Sequence, residues 1–518
     1  MSPPILYRLG TRGAAIRILA ALLCVSALVP AAAAPSPWRA LAVADVDRLH
    51  RSVVELHPGM RDPDTPDFAA RVERAHRTAA RRAAAATSYA DWLTATQGFL
   101  LAFRDGHTIF RPNLAPARAR WPGFLIDGRA GGWVVRRPAG FAASSTGPGD
   151  GARILACEGV PIADLLKARL DGIAADWSKE PERIRQAFRL FVDTRIDGTP
   201  PLRECTFEWQ GKTETRRLSW DVVAWPALSA DFAPFLRNVP HPISSRILAS
   251  GGQWLSLGNF GDETALETLA KALESRADTL RSAPFVVFDL RGNAGGNSTW
   301  GERFARILWG AAAVDARTAE IDGQPGRRAG KYFRGSRQAA TAARGLADEF
   351  AAQGADFASV AGYWREVADR IARAPGGDRA LVHDPCCDAA PAAAPVAPAA
   401  SAYRRPVYVL IDAGCFSSCV LAANRLIAQG AVAVGETSGQ NEEYGEIATP
   451  PPLPSGLARY FLPISIIRQP RETLRVVPGI RWDGALDDDA AIEAWIGGMA
   501  RAAPPAAPAP APSDGNKL

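Results

Sequence analysis

Apolar residues recur at i, i+3 and i+4 through "LAVADVDRLHRSVVEL", "PDFAARVERAHRTAARRAAAA" and "SYADWLTATQGFLLAF", a spacing that predicts three helices between residues 38 and 115. Turns rich in Pro and Asp separate them, and the segment ends in "RDGHTIF". Between residues 120 and 225 the pattern becomes one of short alternating strands, "GFLIDG", "GWVVRRP", "ARILACEGVPI" and "CTFEWQGKTETRRLSW", broken by a helical insertion over 180–195. From 240 onward, strands that carry continuous, mainly apolar runs ("QWLSLGNF", "FVVFDL", "VYVLID", "AVAVGE", "ARYFLPISII") alternate with helical segments such as "ETALETLAKALESRAD". Strands with no polar face are buried on both sides, so this region predicts a largely parallel sheet in an α/β domain. Residues 325–400 interrupt it with a helical stretch and the Pro/Ala-rich "DAAPAAAPVAPAAS", and the tail "AAPPAAPAPAPSDGNKL" is predicted to be disordered.

The fold class is therefore α/β in the wider sense of an α+β multidomain chain. It comprises a helical domain over 35–115, a β domain over 116–225 with its helical insertion, an α/β domain over 240–500 carrying the insertion 325–400, and a tail from 501 to 518. Residues 1–34 stand apart. Arg8, Arg12 and Arg17 precede an apolar run, Ile18 to Pro30, which ends in small residues through Ala34. That order is a secretory signal peptide, and the run is too short to span a bilayer. Leu-Leu before Cys24 is a poor lipidation site. An exported chain, periplasmic or secreted, with no stable membrane span after cleavage, is the expectation.

Composition adds two exclusions. The net charge of +6 comes almost wholly from arginines scattered through helical segments, with no basic stripe interleaved with aromatics, so nucleic acid is a poor partner. Six cysteines remain after the signal: Cys157, Cys205, Cys386, Cys387, Cys415 and Cys419. In an oxidising compartment they favour disulfides. His383 and Asp384 beside Cys386 and Cys387 suggest a metal, but without regular ligand spacing that reading ranks below the disulfides. No cofactor is expected.

Two strand-to-helix junctions hold the candidate chemistry. In "FVVFDLRGNAGGNSTW" the glycines allow amides to point outward at a helix start, a geometry suited to anions. Neither G-x-G-x-x-G nor a P-loop is present, which leaves an oxyanion hole or a plain tight turn. In "VYVLIDAGCFSSCVLAANRLIAQG" a serine stands where a strand hands over to a helix, either as a nucleophile or as a helix cap. The absence of G-x-S-x-G removes the main support for an α/β-hydrolase.

Together these stretches resemble the C-terminal processing, or tail-specific, serine peptidases. "VVFDLRGNAGGN" is similar to their DLRGNGGG block and "DAGCFSSCVLAANRLIAQGAVAVGETSGQ" to their serine block. "RDGHT" resembles the DGHT of a histidine-containing branch, and "GPGDGARILACEGVPIADLL" a degenerate PDZ core. The resemblance implies a PDZ-like middle domain, a ClpP/crotonase-like α/β catalytic domain, and hydrolysis of protein or peptide substrates bound as an extended strand. It puts Ser417 at the nucleophile, with Ser418 as a rival one residue away, and gives Gly295 and Gly296 the oxyanion hole. Val420 stands where the family usually has Glu, and Gln440 where many members have the lysine base. Glutamine takes no proton at neutral pH, and the nearest lysines are Lys331 and Lys517, so His107 is the expected general base.

The third member is left among Asp105, Glu436, Glu442 and Glu443, while His57 in "ELHPGM" reads as structural. The cysteines are expected to clamp: Cys386 or Cys387 to the serine loop, and Cys157 to Cys205 across the PDZ-like segment. The expected activity is a serine endopeptidase acting through an acyl-enzyme. The rivals are a catalytically weak peptide- or lipid-binding protein, motivated by Val420 and the missing lysine, and a Ser-His esterase or amidase of non-peptide substrates.

Overall fold

Strands Val286–Asp289 and Val407–Ile411 lie side by side in parallel, with Val286 opposite Val407 and Asp289 opposite Leu410. Their residues alternate between two buried layers. Val286, Phe288, Val407, Val409 and Ile411 pack against Leu266, Phe304, Val420 and Leu426 from helices Glu263–Glu274, Thr299–Trp309 and Ser418–Ala428. Val287, Tyr408 and Leu410 face Ile492 and Ile496 of helix Asp489–Ala502. Burial on both faces explains why these strands lack polar alternation. The sheet continues through Gln253–Ser256 on one side and Val432–Gly435 and Ile480–Arg481 on the other, all parallel. Ser244–Ile247 closes one edge in antiparallel pairing. Because the two central strands are parallel neighbours, the loops leaving their carboxyl ends emerge at the same edge.

The structure, a computed structural model, describes residues 36–129, 132–137, 148–194, 200–237, 239–322, 330–384, 400–439, 443–468 and 474–502. Residues 1–34, expected to be a signal peptide, Cys386, Cys387, Gln440, Glu442 and the tail from 503 lie outside these. Among the described residues no helix is long and apolar enough to cross a membrane.

"ARYFLPISII" does not join the parallel sheet. As strand Ala458–Arg468 it pairs antiparallel with Ile109–Pro112, Gly330–Arg334 and Tyr444–Ala448 in a second sheet. Three early helices, α1 (Pro37–Leu56), α2 (Phe68–Ala84) and α3 (Tyr89–Leu101), pack on this sheet. They share one core with helices Arg337–Ala352 and Ala358–Ala372. The described part of the insertion, 330–384, thus belongs to this core: Phe333, Ala343 and Trp364 are buried with Leu49, Trp92 and Ile464. A local tie reinforces the packing, as Trp92 Nε1 donates to Asp45 at 2.8 Å and Asp45 accepts the Ser455 amide at 3.0 Å.

Strands Leu125–Arg129, Gly132–Arg136, Arg153–Cys157, Glu204–Trp209 and Lys212–Arg217 form a separate antiparallel sheet, with helix Ile162–Leu170 packed on it. Cys157 and Cys205 are opposite each other in the register and are disulfide-bonded. Arg237 fastens this sheet to the central one. Its buried guanidinium pairs with Asp127 at 2.7 Å and with Glu436 at 2.8 Å.

Candidate active site

The two junction loops meet at the edge of the central sheet. Asp412, at the end of Val407–Ile411, accepts the amides of Gly292, Gly414 and Cys415 at 2.9 to 3.1 Å, so one buried carboxyl organises both turns. Burial and the nearby Glu436 push that carboxyl up to about 7, against the pull of these amides and Arg237. The chain then passes through Ser417, whose backbone (φ 56°, ψ −124°) is a conformation that L-residues rarely adopt. Such strain costs on the order of 1–3 kcal/mol and persists only where the surroundings impose it. Here they do, since the Phe416 amide is bound to the Asn293 carbonyl at 3.1 Å and the helix beginning at Ser418 holds the other side.

Ser417 and His107 come together. His107 Nε2 lies 3.1 Å from Ser417 Oγ across 310 positions of sequence, and the imidazole is tilted against the Phe416 ring at 4.9 Å. Strand Ile109–Pro112 makes this possible, because its pairing with Ala458–Phe461 carries the preceding "DGH" turn over the serine. Burial pushes the His107 pKa down, opposed by Asp105, the main chain at Tyr444 and Glu446. The ring is therefore neutral at pH 7, the state a proton acceptor needs. With Nε2 facing the hydroxyl, the ring proton belongs on Nδ1, which is buried and has no ordinary hydrogen-bond partner among the described residues.

Asp105 works on His107 through the main chain. Its Oδ1 accepts the His107 amide at 3.1 Å, and its Oδ2 accepts Thr108 Oγ1 at 2.7 Å and His57 Nε2 at 3.3 Å. His57, expected to be structural, is fully buried against Phe68 and Tyr444 and is the brace of this turn. Its Nδ1 accepts the Gly59 amide at 3.0 Å, which fixes the proton on Nε2 and makes it a donor to Asp105. Burial opposes the charge of Asp105, yet the bonds from His57 and Thr108 hold its carboxyl below the usual range.

Ser418 lies elsewhere. Its buried Oγ donates to the Gly296 carbonyl at 2.6 Å and so ties the serine turn to the glycine loop. The two glycines separate in role as well. The Gly295 amide is committed to Asn293 Oδ1 at 2.8 Å, so it is not the oxyanion donor that the resemblance implies. Gly295 serves instead by lacking a side chain: at φ +99°, a Cβ there would stand 2.9 Å from the Phe416 carbonyl and 3.0 Å from both Ser417 Cβ and the Ser418 amide. Among the described residues no acceptor takes the amides of Gly296 or Ser418.

Of the candidates for a third member, Glu436 is spent on Arg237 and the Ala413 amide, and Glu443 lines the cleft. The charge that sequence reasoning missed is Glu446, at φ 54° in strand Tyr444–Ala448, which acts on His107 from across the cleft. Nothing in the local sequence marks it. Lys331 also lines the cleft, but its Nζ is bound to Glu446 at 2.6 Å and Asp384 at 3.2 Å. Burial alone would favour its neutral form, but these carboxylates hold it protonated, so it cannot accept a proton.

The cysteine clamp differs from expectation. Cys415 and Cys419, with Cα atoms 5.4 Å apart, are bonded to each other around the serines instead of to Cys386 or Cys387. Entry into the helix at Ser418 folds the segment back on itself and brings the two thiols together within it. The site opens into a cleft of about 1630 Å³ lined by His107, Phe416, Ser417, Lys179, Glu182, Arg475 and others. Among the described residues no group of three metal-ligating side chains gathers in this cleft.

No protein-family model matches the chain, and no curated protein matches it in sequence. Among solved structures it superposes on mature CPAF complexed with lactacystin with a TM-score of 0.57 at 14% identity, covering 90% of this chain and 98% of that one. Mature CPAF alone gives a TM-score of 0.53 at 14% identity, covering 88% and 94%. The photosystem II D1 C-terminal processing protease aligns over 86% of this chain and 94% of its own at 14% identity, with a TM-score of 0.33. At such identities the likeness is one of fold: the chain is a multidomain α/β protein built as mature CPAF is built.

Proposed function

We propose that the protein is a serine endopeptidase of the tail-specific type. The 3.1 Å approach of His107 Nε2 to the oxygen of a strained serine carries this reading. The resemblance of the DLRGN and serine blocks and the fold shared with mature CPAF support it. Ser417 Oγ attacks a peptide carbonyl while His107 Nε2 takes its proton, and the amides of Gly296 and Ser418 hold the resulting oxyanion. His107 then returns the proton to the leaving amine, and water hydrolyses the acyl-enzyme by the same route in reverse order. His57 and Asp105 are positioning residues that set the turn carrying the base. The substrate lies extended in the cleft, with no cofactor taking part. Two disulfides support an exported, periplasmic or secreted setting.

Turnover of casein or tagged peptides against p-nitrophenyl esters tests the substrate class. Peptide hydrolysis that Ser417→Ala abolishes is the expected result. Turnover of esters alone would make the protein an esterase or amidase on the same machinery, and no turnover of either by folded protein would favour the catalytically weak binding protein.

A further inference from the structure

Outside the residues that line the cleft, α1 and α2 bring together a second set of chemically active side chains. Asp47 and His50 lie three residues apart on α1, and Glu73 and His76 three apart on α2, so each pair shares one helix face. One ligand atom from each of His50, Glu73 and His76 lies within 4.8 Å of the other two. His50 Nε2 is 2.9 Å from Glu73 Oε1, and Asp47 Oδ1 is 3.6 Å from His76 Nε2. The two imidazoles stack almost face to face, with centroids 3.9 Å apart and planes 6° apart, and both stand edge-on to Phe99 of α3. His76 Nε2 is shut off from solvent and, among the described residues, has Asp47 Oδ1 at 3.6 Å as its facing acceptor, beyond ordinary hydrogen-bond length.

Two stacked imidazoles facing two carboxylates, one ring nitrogen held only by a long 3.6 Å contact, are poorly explained by helix packing alone. A hydrogen bond to Glu73 accounts for His50 but leaves His76 with only the long approach of Asp47. A divalent cation would satisfy both.

We propose that His50, His76 and Glu73, with Asp47 beside them, form a zinc-class metal site that pins α1 to α2. Two nitrogens with one or two carboxylate oxygens suit a borderline cation and are a poor set for the harder Mg²⁺ or Ca²⁺. Zinc bonds of about 2.0–2.1 Å place tetrahedral ligands roughly 3.3 Å apart, within reach of small rotamer changes from the observed spacing. His50 and His76 side chains are 21% and 23% exposed, so the ion would exchange with solvent and keep a position for Asp47 or water. The site's role is structural: α1 leads directly into His57, and the cation would tie the helical layer that presents it.

The test uses tag-free, EDTA-stripped full-length protein. Calorimetric titration with Zn²⁺ should show one equivalent bound and a rise in Tm, which Mg²⁺ and Ca²⁺ do not reproduce. Co²⁺ should give the intense visible bands of a four-coordinate site. His50→Ala and His76→Ala should each lose the bound equivalent, the Tm rise and the cobalt bands. Glu73→Gln, at a half-exposed position, should weaken all three and serves should either histidine variant fail to fold. Absence of Zn²⁺ binding to the wild-type chain, or an equivalent that persists in these variants, would overturn the proposal.

Discussion

Gly295→Ala puts one methyl group where the two junction loops meet. The new Cβ would stand 2.9 Å from the Phe416 carbonyl and 3.0 Å from Ser417 Cβ and the Ser418 amide, contacts that backbone and an already strained serine cannot yield cheaply. The residue would also hold φ at +99°, a strain of about 1–3 kcal/mol for alanine. Overpacking adds roughly 1–3 kcal/mol. The loops relieve this by separating, and the Ser418 amide then moves away from where an oxyanion would sit. Loss of one such donor costs about 100- to 1,000-fold in kcat. The assay is steady-state peptide hydrolysis beside thermal melting. The expected result is a fall in kcat of that order, with a smaller change in KM and a modestly lowered Tm. Gly345→Ala is the control, because its Cβ points into open space on helix Arg337–Ala352 and alanine there should leave activity unchanged while stabilising the helix. A Gly295→Ala enzyme working at the wild-type rate would refute the placement of the glycine loop against the reacting serine.

Ser418→Ala removes the bond to the Gly296 carbonyl and should lower kcat and cost about 1 kcal/mol of stability, yet leave an active enzyme. Abolition of activity equal to that of Ser417→Ala would reverse their roles. For pH, the folded pKa values of His57, His107 and His241 all lie below 6.5. The unfolded chain therefore binds more protons below 6.5, and the stabilisation present above it is lost as pH falls toward the folded values. Melting temperature should drop on that side, and the acid limb of kcat/KM should fall below pH 6.5; a limb lying above it would contradict His107 as a buried neutral base. Arg237→Ala strands Asp127 and Glu436 and should destabilise the chain by about 3–5 kcal/mol in urea unfolding. A loss no larger than the roughly 0–1 kcal/mol of a surface pair would show that the triad does not join the two sheets.

The sequence made some of this plain and hid the rest for identifiable reasons. Val286–Asp289 and Val407–Ile411 were readable as buried strands because both of their faces are apolar, and parallel pairing then places both turns at one edge. "ARYFLPISII" is apolar in the same way, but nothing in such a run names its partner. Only the structure shows it pairing with Ile109–Pro112 and Gly330–Arg334 in another sheet. That pairing is also what brings His107 to Ser417, so the motif could nominate the histidine but not its contact. His57 reads as structural from its helix-ending turn, but the sequence does not name the neighbour it braces, since such a histidine looks the same whether it holds a partner or merely packs. Lys331 and Glu446 neutralise each other across two strands, a relation with no signature in either segment. The Cys415–Cys419 bond was within reach of spacing alone, since four residues across a strand-to-helix turn is a short loop to close.

The central claim is that Ser417, activated by His107, is the nucleophile, and labelling with a fluorophosphonate followed by peptide mass mapping tests it most directly. The account predicts a single adduct on Ser417, retained in Ser418→Ala, absent in Ser417→Ala and greatly slowed in His107→Ala. An adduct on Ser418, undiminished labelling of His107→Ala, or no adduct on correctly folded wild-type protein would contradict it.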